Sequence, residues 1–600
     1  MKKILFYILF VTLYLFPQEF KYAWLTDVHI GNPTGSNDLI SVVSHIDSRN
    51  DLKFVIVTGD IAERGRNYQL DSAKIILDKL NIPYYIIPGN HDSKWSESGT
   101  THFPAIFKDN KFAFQYNNTL QIGINSGVLW RGGGGHFTPE DISWVEEQIL
   151  KAPKNIEISF YAHHPLDGDV DNGYKILNIL SKYNVKSIMV GHGHSNHILN
   201  FNGIPAAMSR STLSNKALWG YSVVNNCKDS IAIYEYNPKD NDKYLYSIHK
   251  NNLNVSKTDS TDLITYHSTL LGKIDLGKTI NSNIVYNGSN LYTVSFDGSV
   301  YCFDTKAKIK WTYKSNDNYL SAPTALNGLL VVGSINDSIL VFDSKNGKIT
   351  NKSVASGPIT SRLTTIKLSK NSYGLITGDS YGKLTCFNLS NLTPIWANES
   401  AKGMIETRPL FYNNTLTYGS WDGFLYNVEA KDGKTNWKWT EKNNIYYAPA
   451  GSIPCTDGKA VYVMQPDKFV YKIDLASGKT IWKSDKGNGW ESIGISKDKK
   501  KIFARGTEGK FYILSAADGS LIKEFDLKYG LDITPTEIVE DGGKIVFGAK
   551  NGTVFEIDKD YNFRPVLFMG NSRINNVVRI KGNIYSAINM DGRIVIFEIK

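Results

Sequence analysis

"LYTVSFDGSVYCFD", residues 291–304, is two short runs of alternating apolar and polar residues hinged on Asp297-Gly298. An Asp-Gly pair between such runs specifies a tight β-hairpin, because glycine supplies the positive φ that the turn needs. The unit returns at "LTYGSWDGFLYNVE" (416–429). Equivalent turn pairs stand at Asp337-Ser338, Tyr381-Gly382, Asp467-Lys468, Glu508-Gly509, Asn551-Gly552 and Asp591-Gly592, every 40–45 residues. A period of this length with several strands per unit predicts a β-propeller of four-stranded blades. Most units end in a further turn and an outer strand, as in "EAKDGKTNW" (429–437) and "DLASGKTIW" (474–482). The last unit stops without that strand, and an orphan strand, "STLLGKIDL" (268–276), precedes the first. Pairing the two closes a ring of eight blades, with seven as the fallback, and removes the exposed sheet edges.

Upstream the period changes. "DLISVVSHI" (38–46), "YQLDSAKIILDKL" (68–80) and "YKILNILSKY" (174–183) carry apolar residues at helical spacing. "TPEDISWVEEQIL" (138–150) opens with a Thr138 cap, Pro139 at the first helical position and Asp141 three residues after the cap. Apolar strands alternate with these helices up to about residue 225, which predicts an α/β layer. The polar, aromatic-free stretch "NNLNVSKTDSTD" (251–262) separates the two regimes and reads as a linker.

Six hundred residues are too many for one ordinary domain. The net charge of +9 is diluted over that length without a dense Lys/Arg run, so no nucleic-acid groove is indicated. Lys2 and Lys3 followed by the apolar run Ile4 to Phe16 read as a signal peptide, too short for the roughly 20 residues of a membrane-spanning helix. The domain expectation is therefore a signal peptide at 1–18, a first domain at 19–250, a linker at 251–264 and a propeller at 265–600. The mature chain is expected to be exported, periplasmic or extracellular, with no transmembrane helix. Of the four cysteines, Cys302 and Cys386 fall in third strands of blades that are not neighbours, and Cys227 and Cys455 have no evident mates. Free, mostly buried thiols are expected.

Polar residues recur at one place in the first half, the end of a strand. "KYAWLT" runs into Asp27-Val28-His29, "KFVIVT" into Gly59-Asp60, and "YYIIP" into Gly89-Asn90-His91-Asp92. "ISFYA" runs into His163-His164-Pro165, and "SIMV" into Gly191-His192-Gly193-His194. Ligands of open α/β sheets bind at the carboxyl ends of strands. Several imidazoles, two carboxylates and an amide gathered in one crevice suit a metal cluster. Ten of the 12 histidines lie before residue 198, in keeping with that.

The ordered set DxH, GD, GNHD, HHP and GHxH resembles the signature of the calcineurin-like metallophosphoesterase family, over roughly residues 20–250. The resemblance implies an α/β sandwich with two metal ions. Asp27, His29 and His194 would hold one, Asn90, His163 and His192 the other, and Asp60 would bridge them. His163 is favoured over His164 because the family places the ligand first, and His197 has no slot. Two cations about 3.5–4 Å apart can share a hydroxide, lower its pKa and neutralise the phosphate under attack. His91 would face the phosphate as proton donor, with Asp92 orienting it. Arg64 matches an arginine that contacts phosphate in some relatives, although Glu63 stands where those relatives often have Asp. The glycine-rich "WRGGGGHF" (130–137) reads as a surface loop, or as a carrier of Arg131 or His136 toward substrate.

The propeller resembles the quinoprotein-type (PQQ-like) repeat, with Asn388/Trp396, Glu429/Trp437 and Asp474/Trp482 at its Asp-to-Trp spacing. Large indoles at these positions are expected to pack between blades. No charged quinone pocket is evident, so PQQ is not expected and a quinone oxidoreductase is disfavoured. The whole reads as an exported, metal-dependent phosphoric ester hydrolase acting on a phosphate monoester or diester by metal-bound hydroxide. Fe, Zn, Mn, Ni and Co all suit the ligand set. The propeller would be an accessory recognition module for a protein or polymer ligand. The alternative is a propeller-based binding or scaffold protein whose phosphoesterase site is minor or vestigial.

Overall fold

The computed structural model describes residues 19–127, 129, 134–214, 217–250, 263–533 and 535–600. The expected signal peptide, Arg131 and nearly all of the expected linker lie outside the described residues. The first domain is two six-stranded sheets face to face with helices on both outer surfaces. Phe20–Leu25, Leu52–Thr58 and Tyr84–Ile87 run parallel in one sheet, which Tyr221–Asn226, Ser230–Tyr236 and Lys243–His249 extend. The other sheet pairs Thr119–Gly123, Glu157–Tyr161, Val185–Val190 and Ile204–Met208 in parallel.

Alternation along the strands sorts the core into layers. Tyr22, Trp24 and Phe54 face Tyr161 and Met189 between the sheets. Ala23, Leu25, Val55 and Val57 face outward onto Leu39, Val42, Leu70 and Leu77 of the helices Gly35–Asp47 and Asn67–Leu77. On the opposite side Ile158, Phe160 and Ile188 carry Val145, Ile149, Ile176 and Leu180 from Pro139–Lys151 and Gly173–Leu180. Thr138 caps Pro139–Lys151 through its hydroxyl oxygen, which accepts the Asp141 N–H at 3.1 Å.

The second half is an eight-bladed propeller of antiparallel sheets. The first blade is Val285–Asn287, Asn290–Val294, Ser299–Asp304 and Ile309–Lys314. Ser268–Asp275 pairs with the carboxy-terminal strand Arg593–Ile599, so the start of the propeller chain closes its last blade. Ile264–Thr265 adds a fifth strand to the seventh blade beside Phe563–Phe568. Two residues are too few to show alternation, so this strand leaves no trace in the pattern.

The repeated tryptophans join neighbouring blades. Indole N–H groups of Trp311, Trp396 and Trp437 donate to the carbonyls of Ser344, Ala430 and Leu475, at 3.2, 3.0 and 3.0 Å. The Trp437 ring covers Gly478, whose φ is +70°, and a side chain there would meet the indole at 2.7 Å. The glycine therefore serves both the turn and the close approach. Cys302 and Cys386 are buried in third strands, while Cys227 and Cys455 are half-buried, and all four are free thiols. Among the described residues no helix is long and apolar enough to cross a membrane.

One end of the propeller rests on the first domain. Leu129 packs with Leu320 and Ile335, Trp95 with Trp421, and His136 Nε2 meets Asp591 at 3.0 Å. His136 is thus a buried interface residue, which corrects its expected place on a surface loop or facing substrate; the Arg131 reading lies outside the described residues.

Candidate active site

The parallel strands of both sheets end at one crevice. One sheet delivers Asp27, His29, Asp60 and Asn90, and the other His163, His192 and His194. Asp27 (φ +52°), His29 (+51°), Asp60 (+52°), His192 (+72°) and His194 (+55°) all adopt the left-handed region. Residues with a side chain adopt this region at only a small fraction of positions, Asn, Asp and His more readily than others. Here it lets each strand end sharply and aims the next side chain back over the sheet edge.

The side chains form two groups joined at Asp60. In one, Asp27 Oδ1 lies 3.0 Å from His194 Nε2, and His29 Nε2 lies 3.4 Å from His194 Nε2 and 3.9 Å from both Asp27 Oδ1 and Asp60 Oδ2. In the other, His163 Nε2 is 3.3 Å from Asp60 Oδ2 and 3.1 Å from Asn90 Oδ1, and His192 Nδ1 is 3.0 Å from the same amide oxygen. One donor atom each from Asp27, His29, Asp60 and His194 fits within 4.8 Å.

Neighbouring groups fix the orientation of these ligands. His163 Nδ1–H donates to the Thr58 carbonyl at 2.8 Å, so its Nε2 faces the crevice. Asp27 Oδ2 accepts from the Thr26 hydroxyl (2.8 Å) and the His192 N–H (3.1 Å), leaving Oδ1 for the centre. Asp60 Oδ1 accepts the His91 N–H at 2.9 Å, leaving Oδ2 between the groups.

The electrostatics call for a cation. Asp27 and Asp60 are 0% and 1% exposed, and burial alone would raise their pKa values. The facing imidazoles outweigh burial and hold both below the carboxylate range, Asp60 well below. His163, which burial would lower, is pushed up to about 9 by Asp60 and Asp27. His192 is brought down to about 4 by burial and by the positive charge on His163. Without other positive charge the two carboxylates thus hold a proton in the cluster. Buried carboxylates, an amide oxygen and imidazole nitrogens are the donor set of a borderline divalent metal, and they fit one.

The remaining sequence candidates divide. The His164 ring lies 4.7 Å from His192, but its Nδ1 is engaged by the Ser126 hydroxyl at 2.9 Å. His197 is exposed at the start of His197–Phe201. Arg64 is exposed, and its backbone N–H donates to Gln69. His91 stacks edge-on against His29 with centroids 4.7 Å apart, and its Nδ1 meets the Glu63 carbonyl at 2.8 Å. The expected orientation of His91 by Asp92 is corrected. Buried Asp92 instead accepts the backbone N–H groups of Ile61, Ala62 and Gly89, at 3.1, 2.7 and 2.8 Å, and ties the Gly59-Asp60 turn to the Gly89-Asn90 turn. Burial and then the Asp60 charge raise its carboxyl to about 7.

Two partners of the site escape the sequence. Glu63 Oε2 takes His29 Nδ1 at 3.1 Å, and its other oxygen accepts the hydroxyl of Tyr446, a propeller residue, at 3.0 Å. The short helix Asn90–Lys94 is also gripped by the propeller. Trp95 packs edge-on against His91 on one side and against Trp421 and Tyr446 on the other, with centroids 5.6–5.9 Å apart. The Glu63 carboxylate could have been suspected from its place three residues after Asp60; Tyr446 offered no signal.

Residues 20–196 match the calcineurin-like phosphoesterase family, and residues 267–484 and 466–561 match the family described as outer membrane protein assembly factor BamB. A probable glycerophosphodiester phosphodiesterase GpdQ of Arcobacter nitrofigilis is 29% identical over 180 residues, covering 26% of this chain and 62% of the relative. The glycerophosphodiester phosphodiesterase GpdQ of Enterobacter lignolyticus is 28% identical over 192 residues, covering 30% and 66%. A probable cyclic nucleotide phosphodiesterase of Vesicomyosocius okutanii is 27% identical over 185 residues, covering 29% and 72%. The chain thus spans less than two thirds of the two GpdQ proteins. It joins a domain of the calcineurin-like phosphoesterase family to an eight-bladed propeller of PQQ-type, BamB-like repeats.

Proposed function

We propose that this chain is an exported, metal-dependent phosphoesterase that hydrolyses a phosphate ester between its two domains. The observation that carries the reading is the pair of donor groups sharing Asp60, with His91 alongside. Asp27, His29 and His194 would hold one metal ion, Asn90, His163 and His192 a second, and Asp60 both. Such a pair supplies Lewis acidity toward phosphate and an activated water. The chain's own part is to hold the ligands and move a proton. His91 Nδ1–H is committed to the Glu63 carbonyl, so Nε2 is the atom that delivers a proton to the departing alcohol oxygen. Asp92 holds the two turns that carry Asp60 and Asn90, and so fixes the distance between them.

The GpdQ and cyclic-nucleotide relatives, named as phosphodiesterases, favour a diester substrate. Export rests on the Lys2-Lys3 and Ile4–Phe16 pattern, and the amino-terminal sequence of protein recovered from the culture medium or periplasm tests it. For the activity, metal content is measured first, then hydrolysis of monoester, diester and cyclic-nucleotide substrates by the wild type and Asn90→Ala. The variant should lose about 10²-fold or more in kcat/KM. A fully metallated wild type that hydrolyses none of them, or a variant that matches it, sinks the proposal.

A further inference from the structure

A cavity of about 830 Å³ opens between the domains with His192 in its wall. That volume suits a small organic group. The first domain contributes Leu166 and Tyr174, and the propeller Tyr529, Leu531 and Ile533. Leu531 is 64% exposed, an uncovered apolar side chain on the rim of a cleft beside the candidate metal centre.

Position decides which part of a substrate reaches this cleft. His91, the proton donor, sits against His29, Glu63 and Trp95. His192 belongs to the other donor group, with Asn90 and His163. An ester oxygen beside His91 is the one that departs. A substituent that passes His192 is therefore the one that stays on phosphorus.

Charge decides what that substituent can be. Asp167 and Asp169 are exposed along the cleft, and the Lys550 ammonium lies 3.7 Å from Asp171. Partial burial and then the neighbouring Asp167 raise the Asp169 pKa, and Lys550 opposes the shift. Asp171 is already matched by His136 at 3.7 Å and by Lys550, which leaves the exposed Asp167 and Asp169 carboxylates to disfavour an anionic arm.

We infer that the inter-domain cleft is the subsite for the retained alcohol of a phosphodiester, an extended, non-anionic group with an apolar face, and that the propeller supplies its outer wall. The inference rests on the phosphoesterase reading and narrows it. Diesters with such an arm are the preferred substrates, and monoesters leave the cleft empty. Hydrolysis breaks the bond from phosphorus to the alcohol beside His91, adds water's oxygen to phosphorus, and leaves the cleft-bound alcohol on a phosphomonoester.

The test uses the full-length, metal-loaded protein and Leu531→Asp, with Leu531→Met as the conservative control. Leu531→Asp should lower kcat/KM for bis(p-nitrophenyl) phosphate by about tenfold, and leave p-nitrophenyl phosphate within about twofold. The methionine variant should behave as the wild type. For p-nitrophenyl thymidine 5′-phosphate, adding a 3′-phosphate should cost about tenfold or more. Equal losses on monoester and diester, or no loss on either, overturn the subsite. Turnover of the monoester without the diester overturns it too and leaves the phosphoesterase reading standing, whereas no turnover of either removes both. A readout independent of turnover is saturation-transfer NMR with dibenzylphosphinate, which cannot be hydrolysed. Transfer to its aryl protons should appear with the wild type and weaken with Leu531→Asp, and its absence from the wild type or an unchanged signal in the variant overturns the subsite.

Discussion

At the scale of single residues, the candidate site divides into donors and the groups that aim them. His29 is turned by Glu63, and Glu63 is held in turn by Tyr446 from the other domain, at 3.1 and 3.0 Å. Such outer partners set imidazole orientation and basicity, and losing one costs about 10–100-fold in metal affinity. Glu63→Gln should weaken the metal ion that His29 would hold within that range, and Tyr446→Phe by a smaller factor of about three to ten. Competition with a chromophoric chelator measures both, and unchanged affinity in Tyr446→Phe would make the inter-domain contact incidental. Gly59 offers a second test, since its φ is +92° and a side chain there would meet His163 Nδ1 at 2.6 Å. Gly59→Ala should therefore displace His163 from Thr58 and reduce metal content, while the far-UV spectrum stays that of the wild type. The donors themselves were legible because strand ends advertise them in sequence. Their supports were not, since a carboxylate such as Asp92 declares neither the backbone N–H groups it will accept nor the side chain it will ignore.

At the scale of elements, the helix Asn90–Lys94 is the piece that both domains share. Lys94 is 8% exposed, and its ammonium lies 4.8 Å from the Trp95 ring, 5.2 Å from Trp421 and 5.8 Å from Trp490. Beyond the rings are Glu406 and Glu491, buried propeller carboxyls raised to about 8 and about 7. Burial is the main cause in both, joined at Glu406 by the Glu491 charge, and Lys94 opposes the shift at each. The native state keeps these protons above the ordinary value of 4.5, so stability falls as pH rises from there toward 7–8. Lys94 limits that fall by offering a positive charge. Lys94→Met should thus cost little at pH 5 and about 3 kcal/mol at pH 8, where the carboxyls ionise with Arg573 as their remaining counter-charge. Denaturant unfolding at the two pH values measures it, and equal costs would show that Lys94 does not serve these carboxyls. The blades were the most legible elements, since turn pair, strand alternation and docking tryptophan repeat together. Ile264–Thr265 and the hold on Asn90–Lys94 were not, because neither leaves a periodic mark.

At the scale of the whole molecule, the recurring hairpin turns form the surface on which the first domain sits. Ile335, Trp421, Lys550 and Asp591 each stand at such a turn, in the second, fourth, seventh and eighth blades, and each meets the first domain or its cleft. The sequence announces these positions as turns and cannot say which end of the ring is covered. At Asp591 the turn carboxylate bridges His136 Nε2 at 3.0 Å and Lys175 Nζ at 2.6 Å, and nearby Glu140 receives the Thr279 hydroxyl at 2.7 Å. Burial would raise Asp591, but His136 and Lys175 bring it down to about 2. Burial would lower His136, but Asp171 and Asp591 raise it above 6.5. The Asp591 contribution is therefore present above pH 3.8 and lost as pH falls toward 2. That of His136 is complete below pH 6.5 and lost as pH rises through its raised value. Docking should be tightest in the mildly acidic to neutral range and loosen in alkali. Hydrogen exchange at amides of the interface, such as Gly135 and Gly592, should accelerate beyond the intrinsic rate as pH rises above 6.5 and through the raised His136 value. Asp591→Asn should weaken that extra dependence, with Asp171 still facing His136, and cost about 3 kcal/mol, because it leaves buried His136 and half-buried Lys175 without their shared anion. If the variant keeps the wild-type pH profile, the domains are held by Leu129, Trp95 and their apolar partners alone. The cleft beside His192 would then be a fixed feature at every pH rather than one that tightens with protonation.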